Sequence, residues 1–152
     1  MTLAARSSAT NWCLVHIGIP ILPFLLGSAI RVGVACGQLS WKAFSSSDLA
    51  ICLALLSLLM NQSLLRSERI LDNEDKKEEV EGRATFFLIL AMVLIALFSV
   101  IVALDSVIEN YAIRALEPPL RIFEIATYLL MPTMLYLSIQ TQRSYKLKVN
   151  MP

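Results

Sequence analysis

The sequence predicts an all-α, polytopic membrane protein, with four transmembrane helices in two hairpins joined by a charged loop. Three observations predict it. First, the 152 residues are 57% hydrophobic and 16% charged, too apolar for a soluble domain of this size, which must keep a polar exterior. Second, the apolar residues gather into four runs, Cys13–Cys36, Leu49–Leu65, Ala84–Leu104 and Leu120–Ile139. Each is near the roughly 17–25 residues that cross about 30 Å of hydrocarbon. Third, Arg66–Arg83 holds 12 of the 25 charged residues, five basic and seven acidic. Nearly every residue lies in a span or a short connection. One domain is expected, without a separate soluble catalytic unit.

Residues 1–11 read as a short tail, with Ser7, Ser8 or Thr10 placed to cap the first helix. Trp12 and Trp41 flank the first span, where interfacial aromatic anchors belong. That span carries Pro20 and Pro23, each lacking a main-chain donor, so a kink is expected. Gly33 and Gly37, four apart, offer a small surface to another helix. Gly33-Val34-Ala35-Cys36 is lipoprotein-like, but a retained span is expected rather than a cleaved signal. The run is too long, and Arg31 interrupts it.

The connection after Gly37 ends in serines and Asp48, which suit a helix start. Beyond the second span, the helical pattern continues into the loop 66–83. Asp72 with Lys76, and Lys77 with Glu81, are four apart. The like-charged pairs Glu74–Glu78 and Asp75–Glu79 oppose it, so a helical extension interrupted in its middle is expected, with Gly82 as a turn. The third span is the most uniformly apolar. After Asp105, the pairs Val107-Ile108, Tyr111-Ala112 and Ala115-Leu116 draw a narrow apolar stripe. A short interfacial helix over about 106–117 is the simplest reading, and a continuation of the third span the alternative. Pro118-Pro119 closes it, and the fourth span carries Pro132 at its centre, a second expected kink.

Counting Lys and Arg in short loops sets the orientation. Nine fall on the side of the charged loop (Arg6, the five of 66–83, Arg143, Lys146, Lys148) and four on the other (Arg31, Lys42, Arg114, Arg121). Both termini and the loop are expected in the cytoplasm, with the spans in the inner (plasma) membrane.

Ionisable and polar groups at membrane depth are candidate functional positions. Arg31 and Glu124 each lie about five residues, roughly 7 Å, inside the far ends of their spans. They are expected either to pair or, respectively, to snorkel and to face water. Asp105 and Glu109 lie close enough to join them. On the other side His16 shares a depth with Asn61 and Gln62, and a hydrogen bond across the helices is expected there.

Several function classes are disfavoured. A net charge of +1 gives no general pull on nucleic acid. Cys13, Cys36 and Cys52 show no metal or disulfide spacing and read as buried apolar thiols. The single His has no acid at helical spacing and there is no nucleotide loop, so neither an enzyme nor a cofactor is expected. Three classes stay open: an enzyme least of all, an oligomeric channel or lesion-forming pore, and a scaffold or sensor holding a cytoplasmic partner. The tethered, mixed-charge loop favours the last. Arg69, Asp72, Glu74, Lys76, Lys77, Glu78, Arg143 and Lys146 are its expected partner contacts. Arg31, Glu124, Asp105, His16 and Asn61 form the expected polar network within the membrane. The kinked first and fourth spans are the expected moving parts, the third span static.

The layout of four spans between Cys13 and Ile139 with the charged loop Arg66–Arg83 resembles the small four-span membrane subunit of the Kiwa anti-phage defence system. The resemblance covers the whole chain as layout and quotes no motif, so it transfers no functional residue. It implies a homo-oligomer, a tetramer by that likeness, in the inner membrane. Such an assembly detects phage attack and engages a cytoplasmic effector.

Overall fold

A computed structural model describes residues 10–34, 44–68, 74–111 and 113–145, without the side chains of Ser67, Glu68, Asp75, Lys76 and Arg114. Four long helices make an all-α bundle: α1 (Ile19–Val34), α2 (Ser46–Glu68), α3 (Glu74–Tyr111) and α4 (Glu117–Tyr145). Each belongs to a helical stretch long and apolar enough to cross a membrane.

α2 is the centre. In its most apolar stretch 61% of residues are buried, against 17–22% for the other three. Its contact with α3 is the most extensive, and α1 and α4 each pack on its remaining sides. The closest hairpin is therefore the one through the charged loop, α2–α3, rather than either predicted hairpin.

The α2–α3 seam has a size pattern rather than a polarity pattern. Val80, Ala84, Phe87, Ala91, Leu94 and Ile101 are buried, and with half-buried Phe98 they recur at alternating four- and three-residue steps. That is the repeat of helices coiling left-handedly about one another. Opposite them Leu49, Leu53, Leu56, Met60 and Leu64 are fully buried. The alanines let the backbones approach between the larger side chains.

α2 begins as its sequence predicts. The Leu49 N–H donates to the Ser45 carbonyl at 3.2 Å, and the Asp48 N–H to the Ser45 hydroxyl at 3.4 Å, a helix cap. At the start of the first span, Leu14–Gly18 forms a π-helical turn, closed by the Ile19 N–H on the Leu14 carbonyl. The turn ends just before Pro20, whose ring would crowd the His16 carbonyl in a regular α-helix. Pro23 and Pro132 sit inside continuous helices.

The helical extension expected in 66–83 is present on both sides of its middle, since α2 runs to Glu68 and α3 starts at Glu74, and 69–73 lies outside the described residues. Two other expectations are revised. Gly82 lies within α3 and makes no turn. The separate interfacial helix over 106–117 is replaced by the end of α3, which continues to Tyr111, and by a 3-10 turn Arg114–Leu116. Nothing in Leu104–Tyr111 breaks a helix, and the stripe that suggested a new helix continues the old one. At about 1.5 Å per residue α3 is far longer than a bilayer core, so its charged first ten residues reach beyond the apolar part.

Candidate functional site

The polar groups collect in two places, one at each end of the bundle. At the end away from the charged loop, the inward stripe of α1 runs through buried Pro20, Phe24 and Ser28 to Arg31. Arg31 meets Asp48 at the start of α2, Nη1 to Oδ2 2.7 Å, a contact close enough for an ion pair but without hydrogen-bond alignment. Their side chains are 41% and 30% exposed. In water such a pair stabilises little, and at the edge of hydrocarbon the uncompensated charges are the larger matter. Gly27 makes the approach possible, because a Cβ there would stand 3.0 Å from Asp48 Oδ2. Four residues before Asp48, the Phe44 carbonyl accepts the hydroxyl of the half-buried Tyr128 of α4 at 2.6 Å.

Arg31 is thus paired, but not with Glu124. The helix-start role of Asp48 hid its second role as counter-ion. Glu124 is half-buried on α4, and Asp105 and Glu109 lie exposed on α3, outside the pair.

At the charged end, Asn61 is buried and donates its amide to the Ala84 carbonyl at 2.7 Å, crossing from α2 to α3. The expected bond to His16 does not form. His16 Nδ1 lies 3.2 Å from its own helix's Trp12 carbonyl, and its ring stacks on Trp12 with centroids 4.8 Å apart. Trp12 is 2% exposed, a core residue rather than an anchor among headgroups. Trp41 and Cys36 lie outside the described residues. Cys52 is a buried thiol as expected, whereas Cys13 is exposed on the bundle surface.

The first ten residues of α3 form the charged surface. Val80 and Ala84 are buried against the bundle, while Glu74, Glu78 and Glu81 are exposed. Spaced four and three apart, the three carboxylates share one stripe of the helix. Lys77 is half-buried on the flank, and Arg143 is exposed near the end of α4. Lys76 is helical with its side chain undescribed, and Arg69, Asp72 and Lys146 lie outside the described residues.

A clasp that the sequence did not disclose joins α4 to this surface. The Tyr145 hydroxyl donates to Glu79 Oε1 at 2.7 Å, and the Arg83 guanidinium lies 5.2 Å from the centroid of the same ring. Arg83 also reaches Glu79 at 3.5 Å. Tyr145 lies beyond the predicted fourth span. Its phenol is pushed up to about 12, by burial first and then by the Glu79 hydrogen bond, with Arg83 opposing. The available signal was spacing: Met134, Ser138 and Thr141 are buried, and Tyr145 falls next on that stripe.

Among the described residues no group of three or more His, Cys, Asp or Glu gathers in a way that holds a metal. Together the geometry defines an all-α bundle with four candidate spans, consistent with a multi-pass membrane protein. No family model, curated protein or solved structure matches the chain.

Proposed function

We propose that the chain is a non-enzymatic, multi-pass inner-membrane protein that assembles as a homo-oligomer and couples a membrane perturbation to a cytoplasmic protein partner. In this reading both termini and the charged end of the bundle face the cytoplasm, in line with the nine-to-four distribution of basic residues. The perturbation is envelope damage during phage attack and the assembly a tetramer, on the likeness of layout alone.

The observation that supports the reading best is the helical extension Glu74–Arg83. Packing of Val80 and Ala84 fixes its base, while Glu74, Glu78 and Glu81 stand outward on one stripe. Carboxylates held at fixed spacing suit recognition of a partner surface rich in Lys and Arg. The outward faces of α1, α3 and α4 are apolar, with Leu22, Leu26, Ile89, Met92, Ile125 and Leu129 exposed. They suit lipid and neighbouring copies of the chain. They suit an oligomeric channel or lesion-forming effector less well, because a hydrated path needs polar lining. Ser99 and Thr133, exposed along the spans, turn their hydroxyls onto their own helices.

The test is isolation of the full-length protein in mild detergent, with native mass and identification of bound proteins. A parallel variant carries Glu74, Glu78 and Glu81 changed to Gln. A soluble protein bound at fixed stoichiometry and lost from the variant supports the reading. An oligomer that binds no protein and passes ions in liposomes overturns it in favour of a channel.

A further inference from the structure

We propose that the half of α4 from Pro132 to Tyr145 is a hinged strap, latched to α3 through Tyr145, whose release frees Glu79 and Arg83 and so regulates the charged surface. This rests on the reading of Glu74–Arg83 as the partner surface.

Three observations place the hinge and the latch. α4 is held by tyrosine hydroxyls at two points, near its middle and at its last residue: Tyr128 donates to the Phe44 carbonyl at 2.6 Å, and Tyr145 to Glu79 at 2.7 Å. Pro132 lies between them. Without an N–H, it leaves the Tyr128 carbonyl without the usual helical donor, which makes that turn the place where a helix bends most readily. The next residue, Thr133, adds its hydroxyl to the Leu129 carbonyl at 3.2 Å, a back-bond that further favours bending there. Finally, the half beyond Pro132 is held by little interlocking bulk. Its buried residues are Met134, Ser138 and Thr141, with Leu135 and Tyr145 partly buried against the core, and the Ser138 hydroxyl is buried without a partner among the described residues.

The latch engages the charged surface directly. Glu79 and Arg83, one turn apart on α3, are bound to Tyr145 through a hydrogen bond and a cation–π contact. Val80 between them stays buried on the bundle side. Swinging the Pro132–Tyr145 half away leaves α3 in place and frees from Tyr145 one carboxylate and one guanidinium, already partly exposed, beside the Glu74, Glu78, Glu81 stripe. Tyr128 keeps the other half fastened.

The experiment is hydrogen–deuterium exchange on the full-length protein in phospholipid nanodiscs, for wild type, Tyr145→Phe, Glu79→Leu and the double variant. Each single change is expected to speed exchange over residues 139–145 by about fivefold, the scale of one ordinary net hydrogen bond. The double variant should exceed neither single one, and α2 should be unchanged. Unchanged exchange, or effects that multiply in the double variant, overturns the latch. Pro132→Ala gives an independent arm, because restoring the main-chain donor should slow exchange in the same turn; no slowing overturns the hinge. Partner capture separates this proposal from the reading beneath it. Stronger capture by Tyr145→Phe supports the regulation, and unaltered capture overturns it. If the Glu74, Glu78, Glu81→Gln variant keeps its partner, the surface assignment fails whatever the exchange data show.

Discussion

Asn61 on α2 holds the main-chain carbonyl of Ala84 on α3 at 2.7 Å, inside the bundle and at the point where the charged extension meets the apolar run. The bond fixes the register of the central hairpin, because a slip of either helix removes the carbonyl from reach. Ala84, almost fully buried, has to be small for the approach.

Replacing Asn61 with Leu should lower stability by about 1 kcal/mol, the ordinary scale of a hydrogen bond between helices in a membrane. Asn61→Asp should do more harm, since a carboxylate has no donor for the carbonyl it faces. Unfolding midpoints in mixed detergent micelles check both. An Asn61→Leu protein as stable as wild type would remove the register role.

The Arg31–Asp48 pair makes a sharper prediction because the sequence suggested a different partner. Double-mutant cycles should find Arg31→Ala and Asp48→Ala strongly coupled, and Arg31→Ala and Glu124→Ala nearly additive. Gly27→Ala should act like a partial loss of the pair, since the new Cβ would stand 3.0 Å from Asp48 Oδ2. Coupling to Glu124 of equal size would contradict the geometry.

Gly82 sits in the helical extension, and a Cβ there meets nothing within 4 Å among the described residues. Gly82→Ala should stabilise that stretch by up to about 1 kcal/mol through helix propensity alone. Slower hydrogen exchange over residues 77–84 is the expected sign, and faster exchange would show that the glycine meets a constraint outside the described residues.

The Tyr145 phenol, raised to about 12, retains its proton in the folded protein over a range where a free tyrosine has lost it. The contribution to stability is therefore complete below pH about 10 and is lost as pH rises through about 12. Ultraviolet titration of tyrosinate should show one late-ionising phenol that Tyr145→Phe removes. If Tyr145→Phe leaves the titration curve unchanged, the Glu79 bond does not hold in solution.

Four runs of apolar residues and one burst of charge were enough to determine the number of long apolar helices, the approximate place of each and the charged extension, because length and transfer from water are properties of the chain itself. The start of α2 was legible for the same local reason, a serine cap. Which face of a helix turns inward was not. In Ala84–Leu104 nearly every residue is apolar, so hydrophobic periodicity distinguishes no face; size does, and it was the stepping of Val80, Ala84, Phe87, Ala91 and Leu94 against α2 that fixed the seam. Likewise depth in the membrane offered Arg31 either Glu124 or the headgroups, and Asp48 was legible only as part of a helix start. Rotation of α1 about its axis, with Gly27 permitting the approach, chose Asp48. Tyr145 and Glu79 are 66 positions apart, and only the packing of α4 across the bundle brings the hydroxyl to the carboxylate.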